Sequence, residues 1–447
     1  MIASTREKLT QRASLATKNP CEPMSLPLRN EPSKFVRPPV PMNFKSPLAI
    51  IFLTVFIDLV GFGIVIPVLP LYTEHLGATA VQIGWITGIY SLMTFLFSPV
   101  MGKLSDRFGR RPVLLISIVG TAFGFVLMGV AGSLWLLFVA RALDGITGAN
   151  ISTAQAYIAD VTPPEKRSKS MGLIGAAFGL GFIFGPAIGG LLSPISAAAP
   201  FFFAAALACV NAVLVFFFLP ETVTAEMRAH PQVRQPAREI FRHGRGGVLA
   251  GIMMCYFFMI TGFSMMTFGY ALFTEHRFGF DARHNGYVFA LIGLIAATIQ
   301  GGLIGKLTER FGEKTLVRVG LICMAVSMVL LPQSSGVIVL LLVTALLALG
   351  NSFATPTMNG LLSQNVDRGW QGRALGLMQS SGSLGRFIGP ALAGFLLAID
   401  QAHPTHRYGQ TPFWTSAVIL FVAFLVALGF GARASAPIRA DPVTTPS

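Results

Sequence analysis

The sequence predicts an all-α membrane protein with twelve transmembrane helices in two pseudo-symmetric six-helix bundles. Three observations predict this class. Hydrophobic residues make up 53% of 447 residues and charged ones 12%, with mean hydropathy +0.66, a balance that a water-soluble chain of this length does not carry. Long apolar runs follow one another along most of the chain. The segment GKLSDRFGRR at 102–111 returns as GKLTERFGEK at 305–314, each copy between two apolar runs, which marks an internal duplication.

A helix needs roughly 20 mostly apolar residues to cross ~30 Å of hydrocarbon. Such runs lie at 47–72, 80–101, 112–131, 133–159, 168–192 and 197–219, then at 248–273, 283–304, 315–332, 335–361, 372–397 and 412–432. The first six form one bundle, 47–219, and the second six another, 248–432. Residues 220–247, PETVTAEMRAHPQVRQPAREIFRHGRGG, are the polar linker between them. Residues 1–46 are polar and rich in proline, from Pro20 to Pro41, which predicts a disordered tail without the apolar core of a signal peptide. Initiation at Met42 is an alternative reading of that tail, decided by the intact mass. A short polar tail follows at 433–447.

The net charge of +14 is distributed by topology. Lys103, Arg107, Arg110, Arg111, Lys166, Arg167, Lys169, Arg228, Arg234, Arg238, Arg242, Arg245, Lys306, Arg310, Lys314 and Arg318 lie in or beside connectors after even-numbered spans, whereas the opposite loops hold only Arg277, Arg283 and Arg407. The positive-inside rule places both termini and both repeat copies in the cytoplasm of a cell membrane, with no nucleic-acid partner implied. Cys21, Cys209, Cys255 and Cys323 are scattered, so neither a disulfide framework nor a zinc site is expected. Asp400, His403 and His406 have a metal-like spacing that Pro404 interrupts, and no metal is assigned there. Leu307 follows Gly305-Lys306 where a phosphate loop requires Ser or Thr, and no hydrolase motif occurs, so no enzyme is expected.

Charges inside spans cost ~2.5–3.5 kcal/mol each even on the lower scales, so they mark function or fixed pairing. Asp58 lies in span 1, Arg141 and Asp144 in span 4, and Arg386 in span 11. Burial disfavours a charged carboxylate and a nearby Arg favours it, so an Asp that alternates between such surroundings takes up and releases a proton. Asp58 leads for proton coupling, with Arg141 and Asp144; the other reading is a fixed Asp58–Arg141 pair joining spans 1 and 4. Asp144, three residues from Arg141, is a competing partner for it. Arg386, whose repeat position is Phe182, has three open readings: an anionic substrate, one of the two Asp residues, or structural pairing. In span 5, Gly181, Gly185, Gly189 and Gly190 clear one helix face while Pro186 bends it, permitting close packing; span 11 repeats this as GRFIGPALAG at 385–394.

Together these residues resemble the major facilitator superfamily, within it the proton-driven drug exporters, with the tetracycline exporters the nearest likeness. GKLSDRFGRRP matches the family's signature between spans 2 and 3. FIDLVGFGIVIPVLP at 56–70, Arg141 with Gly145, GFIFGPAIGG at 181–190 and IADVTPPEKR at 158–167 match further patterns. The resemblance implies the major facilitator fold, alternating access and no cofactor, the proton gradient supplying the energy. It makes the repeated segments cytoplasmic latches, comprising Gly102, Asp106, Arg107, Gly109 and Arg110 with Asp160, and Gly305, Glu309, Arg310 and Gly312. The glycine pairs would permit the tight turns. It reads Gly181, Gly185, Pro186, Gly189 and Gly190 as an antiporter motif, for which ordinary tight packing is the alternative. Spans 1, 4, 7 and 10 would line a cavity offering Asn150, Gln155, Tyr157, Tyr256, Phe257, Phe263, Tyr270, Asn351 and Asn359, with Arg386 from span 11.

One departure is informative: where the tetracycline exporters carry titratable groups in spans 3, 9 and 8, this chain has Gly124, Met324 and Ala296. The expected activity is export of a small organic molecule or drug in exchange for protons, by a functional monomer in the lipid bilayer. A proton symporter or facilitator for a metabolite, and a non-transporting membrane receptor on the same scaffold, are the alternatives.

Overall fold

In hydrocarbon each backbone N–H and C=O must be bonded within its own segment, and the apolar runs accordingly fold as helices. The computed structural model describes residues 47–163, 167–223, 246–366, 370–403 and 408–430, and contains no strand among them. Among the described residues twelve helices are long and apolar enough to cross a membrane. They are Pro47–His75, Ala80–Phe108, Arg110–Gly129, Leu134–Val161, Arg167–Leu192 and Ala199–Phe218 in the first half. The second half has Gly246–Phe278, Ala282–Phe311, Glu313–Gln333, Val337–Gln364, Gln371–Ala402 and Gln410–Leu428. Several exceed the apolar runs because polar turns at their ends stay helical. The tails at 1–46 and 433–447 and residues 224–245 of the linker lie outside the described residues.

The duplication is visible in the packing. Span 1 packs on spans 5 and 6, span 3 on span 6, and span 4 on spans 2 and 3; correspondingly, span 7 packs on 11 and 12, span 9 on 12, and span 10 on 8 and 9. The halves join through span 2 against span 11 and span 5 against span 8, a pair of contacts that exchanging the halves leaves unchanged. A Cβ on Gly88 would lie 2.9 Å from the Phe387 carbonyl oxygen, and one on Gly286 would lie 2.6 Å from that of Pro186. Gly84 meets Pro390, and Gly394 meets Ala80, in the same way. These approaches lie toward the membrane face opposite the repeated segments, hereafter the far end. At the loop end, Cβ atoms on Gly175, Gly179, Gly301, Gly302, Gly305, Gly372 and Gly376 would meet nothing within 4 Å. The two halves are therefore packed together toward the far end.

Two sequence expectations change here. The repeated segments are not loops: GKLSDRF ends the helix Ala80–Phe108 and GKLTERF forms the helix Ile304–Phe311. The turn is one residue in each copy, Gly109 at φ 112° and Gly312 at φ 76°, conformations that a Cβ strains. Gly102 and Gly305 are helical and take no part in the turn. Span 8 also contains a π-helical turn, Ile299–Leu303, just before its repeat copy.

Candidate functional site

Span 4 is interrupted where it carries most chemistry: helix Leu134–Thr147 gives way at residues 148–150 to helix Ile151–Val161. Arg141 donates from Nη1 to Asp144 Oδ2 at 2.9 Å, with only 3% and 4% of the two side chains exposed. Three residues apart on one helix, they face each other without help from another span. The guanidinium also lies 4.5 Å from the centroid of the Tyr90 ring, a cation–π contact from span 2. Gly124 and Gly145 make room for this cluster: a Cβ on Gly124 would lie 3.1 Å from Asp144 Cβ, and one on Gly145 would lie 2.8 Å from Tyr90 Cα. The Asp58–Arg141 pair is therefore corrected, since Arg141 is engaged by its own helix.

Asp58 is held by amides instead. Its Oδ2 accepts from Asn150 at 2.5 Å and its Oδ1 from Asn211 at 3.1 Å, while Asn211 also donates to the Thr54 carbonyl at 3.2 Å. Asn150, expected to line the substrate cavity, is nearly buried and belongs to this carboxylate. Asn211 is not among the residues singled out from the sequence, although a lone Asn in the apolar run 197–219 is a signal of the same kind as the charges. A cavity of about 30 Å³, bordered by Asp58, Phe62, Tyr90, Thr121, Asp144, Gly148 and Asn150, touches both carboxylates. That volume admits a water with polar partners on two sides.

Arg386 lies at the middle of the helix Gln371–Ala402, half-buried, and donates to Ser383 Oγ at 2.9 Å. Among the described residues no carboxylate pairs with it. Tyr256 and Arg386 meet at Gly382, where a Cβ would lie 2.7 Å from Tyr256 Cε1 and 3.5 Å from Arg386 Nη1, and Tyr256 donates to Gln379 at 3.2 Å. Phe257, Phe263 and Gln155 are half-buried, as are Asn351, which accepts from Thr355 at 3.1 Å, and Asn359, which donates to the Thr355 carbonyl at 3.2 Å. Tyr157 and Tyr270 are corrected from cavity to core. Tyr157 is fully buried with its hydroxyl on the Pro220 carbonyl at 3.1 Å, and Tyr270 is fully buried against Thr344 at 2.9 Å.

The two repeat copies have diverged. In the first, Arg110 reaches Asp106 at 2.5 Å, Asp160 at 3.1 Å and Ser105 Oγ at 2.7 Å. Glu221, from the segment expected to be linker, accepts from the backbone N–H groups of Arg110 and Arg111 at 2.9 and 3.1 Å, capping span 3. Thr222 donates to Asp160 at 3.0 Å, so residues 220–223 dock on the first half. Arg107 lies over Phe108, 5.4 Å from the ring centroid. In the second copy Glu313 replaces Arg110. Arg310 stacks on Phe311 at 5.3 Å, and neither Glu309 nor Arg310 forms an ion pair among the described residues.

The span 5 glycines close onto two neighbours. Cβ atoms on Gly181, Gly185 and Gly189 would lie 2.7 Å from Leu59 Cβ, 2.6 Å from Gly63 Cα and 2.7 Å from the Ile64 carbonyl oxygen, all in span 1 just past Asp58. Gly190 faces span 8, its Cβ 3.0 Å from Gly286 Cα, and Pro186 meets both neighbours. At the far end His276 of span 7 lies 2.9 Å from Glu74 of span 1 and stacks on Tyr408, joining the halves. Burial, with Glu74, Glu275 and Asp400 nearby, pushes the Tyr408 phenol above its ordinary range. No group of three metal-ligating side chains occurs among the described residues.

Comparison with known proteins agrees in fold and sequence. The Major Facilitator Superfamily model matches residues 51–390 and 301–445. The chain is 36% identical to the tetracycline resistance protein, class C, of Escherichia coli over 395 residues, 88% of this chain and 98% of that one. It is 29% identical to multidrug resistance protein 2 of Bacillus subtilis (strain 168) over 396 residues, 87% and 95% of the two chains. The crystal structure of the human organic anion transporter TETRAN covers 85% of this chain and 98% of its own, with TM-score 0.66 and 26% identity. With twelve apolar helices, two homologous halves and these relatives, the chain belongs to the Major Facilitator Superfamily, as a multi-pass cell-membrane transporter resembling its tetracycline and multidrug resistance branch and not an enzyme.

Proposed function

We propose that the protein exports a small organic molecule or drug in exchange for protons, rocking its two six-helix halves about a site at the membrane midplane. One observation carries this reading: Asp58, a half-buried membrane carboxylate held by two neutral amides, borders a cavity that also touches Asp144, the partner of Arg141. A carboxylate whose partners are uncharged does not depend on an ion pair for its place, so it can gain or lose a proton without breaking one. The relatives, tetracycline and multidrug resistance proteins, support export of an amphipathic organic compound.

The distribution of Lys and Arg supports a cytoplasmic loop end and cytoplasmic termini. Far-end packing then corresponds to the inward-open state, and the contacts of spans 2 with 11 and 5 with 8 are those that must separate for outward opening. Closure of the loop end is the step in which Asp106, Arg110, Asp160 and the second copy act as latches. A proton entering down 100 mV contributes about 2.3 kcal/mol. That is equivalent to a roughly fifty-fold solute gradient. A single bundle of twelve helices encloses the path, so the monomer is sufficient.

The test is a panel of candidate compounds with purified protein in proteoliposomes under an imposed pH gradient. Proton movement opposite to the compound, elicited by adding it, supports antiport. Proton movement in the same direction replaces it with symport, and flux indifferent to the gradient with a facilitator.

A further inference from the structure

Arg386 presents a charge problem that the export reading does not solve. The six apolar runs of the second half, from 248–273 to 412–432, contain no Asp or Glu; Glu275, Asp281, Glu309, Glu313, Asp367 and Asp400 all lie outside them. The two membrane carboxylates of the first half are engaged, Asp144 by Arg141 and Asp58 by Asn150 and Asn211. Arg386 therefore sits at membrane depth with five N–H donors and one hydrogen-bonded partner, the Ser383 hydroxyl. An uncompensated guanidinium at that depth is costly unless it faces water or an anion.

Its direction follows from the helix. Gly385 and Gly389 pack on span 7, a Cβ on either approaching Thr261 or Ser264 within 2.8–3.1 Å, and Gly394 packs on Ala80 of span 2. Arg386 falls between these two faces. Phe395, 57% exposed, is nine residues on, two and a half turns, so Arg386 points away from the lipid side. The repeat position in the first half is Phe182, so the packing of the fold does not itself require a cation there. Tyr256 stands beside it, since a Cβ on Gly382 would lie 2.7 Å from Tyr256 Cε1 and 3.5 Å from Arg386 Nη1, while Tyr90 of span 2 lies under the Arg141 guanidinium, 4.5 Å from it. Phe62 lies 5.4 Å from Tyr90 between ring centroids.

We infer that Arg386 is the anchoring group for an anionic substrate, an aromatic carboxylate or sulfonate whose oxygens take the free edge of the guanidinium while its ring lies among Tyr90, Tyr256 and Phe62. This deepens the export reading, since it names the substrate class of the same central site. The planar guanidinium fork matches a carboxylate in geometry, and such charge-assisted pairs are about twice as strong as neutral hydrogen bonds. Binding of the acid supplies the counter-charge that the second half lacks. Tyr90, stacked under Arg141, would place the bound ring against the carboxylate cluster.

The experiment uses the full-length protein with four matched probes: 1-naphthoate, 1-naphthalenesulfonate, 1-naphthamide and 1-naphthylmethylammonium. Ligand-induced stabilisation is titrated in detergent without any gradient, and export of the same compounds is measured in proteoliposomes. The two acids should bind, and Arg386→Gln should weaken them by about tenfold or more while leaving the amide unchanged. Arg386→Lys should keep part of the affinity. Ser383→Asp, which places a carboxylate beside the guanidinium in a paired and therefore foldable arrangement, should abolish acid binding. Preference for the amide or the ammonium, failure of both acids to bind, or acid affinity unchanged in Arg386→Gln and Ser383→Asp overturns the inference. Proton-driven export of the ammonium compound would sink this inference and leave the antiport reading intact. Acid binding without proton-coupled flux would do the reverse.

Discussion

Gly185→Ala and Gly179→Ala are the same chemical change six residues apart in span 5, and the structure gives them opposite outcomes. The methyl added at Gly185 would lie 2.6 Å from Gly63 Cα and 2.7 Å from the Val60 carbonyl oxygen, whereas the one at Gly179 would meet nothing within 4 Å. Carbon atoms are at their optimal separation at roughly 3.5–4.0 Å, so spans 1 and 5 must part by on the order of 1 Å to admit the first methyl. Overpacking of this kind costs about 1–3 kcal/mol. Both variants share the gain from replacing glycine in a helix, about 1 kcal/mol, so their difference isolates the clash. Unfolding by graded sodium dodecyl sulfate in mixed micelles, followed by circular dichroism, should place Gly185→Ala about 1–3 kcal/mol below Gly179→Ala. Equal stability, or a more stable Gly185→Ala, refutes the assignment of this motif to the span 1–span 5 contact.

The repeat copies should respond unequally to the same loss. Arg110→Ala removes the guanidinium that holds Asp106 and Asp160, both partly exposed, and should cost about 1–3 kcal/mol, whereas Arg310→Ala should stay within about 0.5 kcal/mol; similar unfolding curves would contradict this. Tyr157→Phe should lower stability by about 1 kcal/mol through its lost bond to Pro220 and leave the range of exported compounds unaltered, as a core residue would. Asp281, the N-cap of span 8 outside the membrane, is pushed up by desolvation, but its bonds from the His284 backbone and ring hold its carboxyl below the usual range. A depressed carboxyl contributes stability above its unfolded value, near 3.9, and loses it as the pH falls through the folded value. Asp281→Ala should therefore flatten the acid limb of the stability profile below about pH 4, and an unchanged limb would count against the cap.

The membrane fold was legible because hydrocarbon imposes helices and the duplicated segment fixed the relation of the halves. Charges in spans were legible as a class, since their cost singles them out, and Asp58, Arg141, Asp144 and Arg386 all lie where that cost demands an explanation. Their partners were not. Pairing of Arg141 with Asp144 was a local choice visible at spacing three, yet the competing contact with Asp58 depended on how spans 1 and 4 are turned. Asn211 reaches Asp58 from span 6 and Glu221 reaches Arg110 from beyond it, contacts set by tertiary packing that no local period encodes. The one-residue turns at Gly109 and Gly312 were misread as longer loops because polar helix ends and loops share a composition. Tyr157 and Tyr270 were misplaced for a similar reason: an aromatic with a hydroxyl suits a cavity or a core that offers it an acceptor.

If Asp58 carries the exchanged proton, Asp58→Asn in proteoliposomes exposes it. The amide keeps the size of the side chain and an oxygen to accept from Asn150 or Asn211, but cannot titrate. Asp58→Asn should abolish export driven by a pH gradient and substrate-induced proton release, while substrate binding and downhill exchange of labelled for unlabelled compound persist. Proton-driven accumulation at the wild-type level in that variant would contradict it.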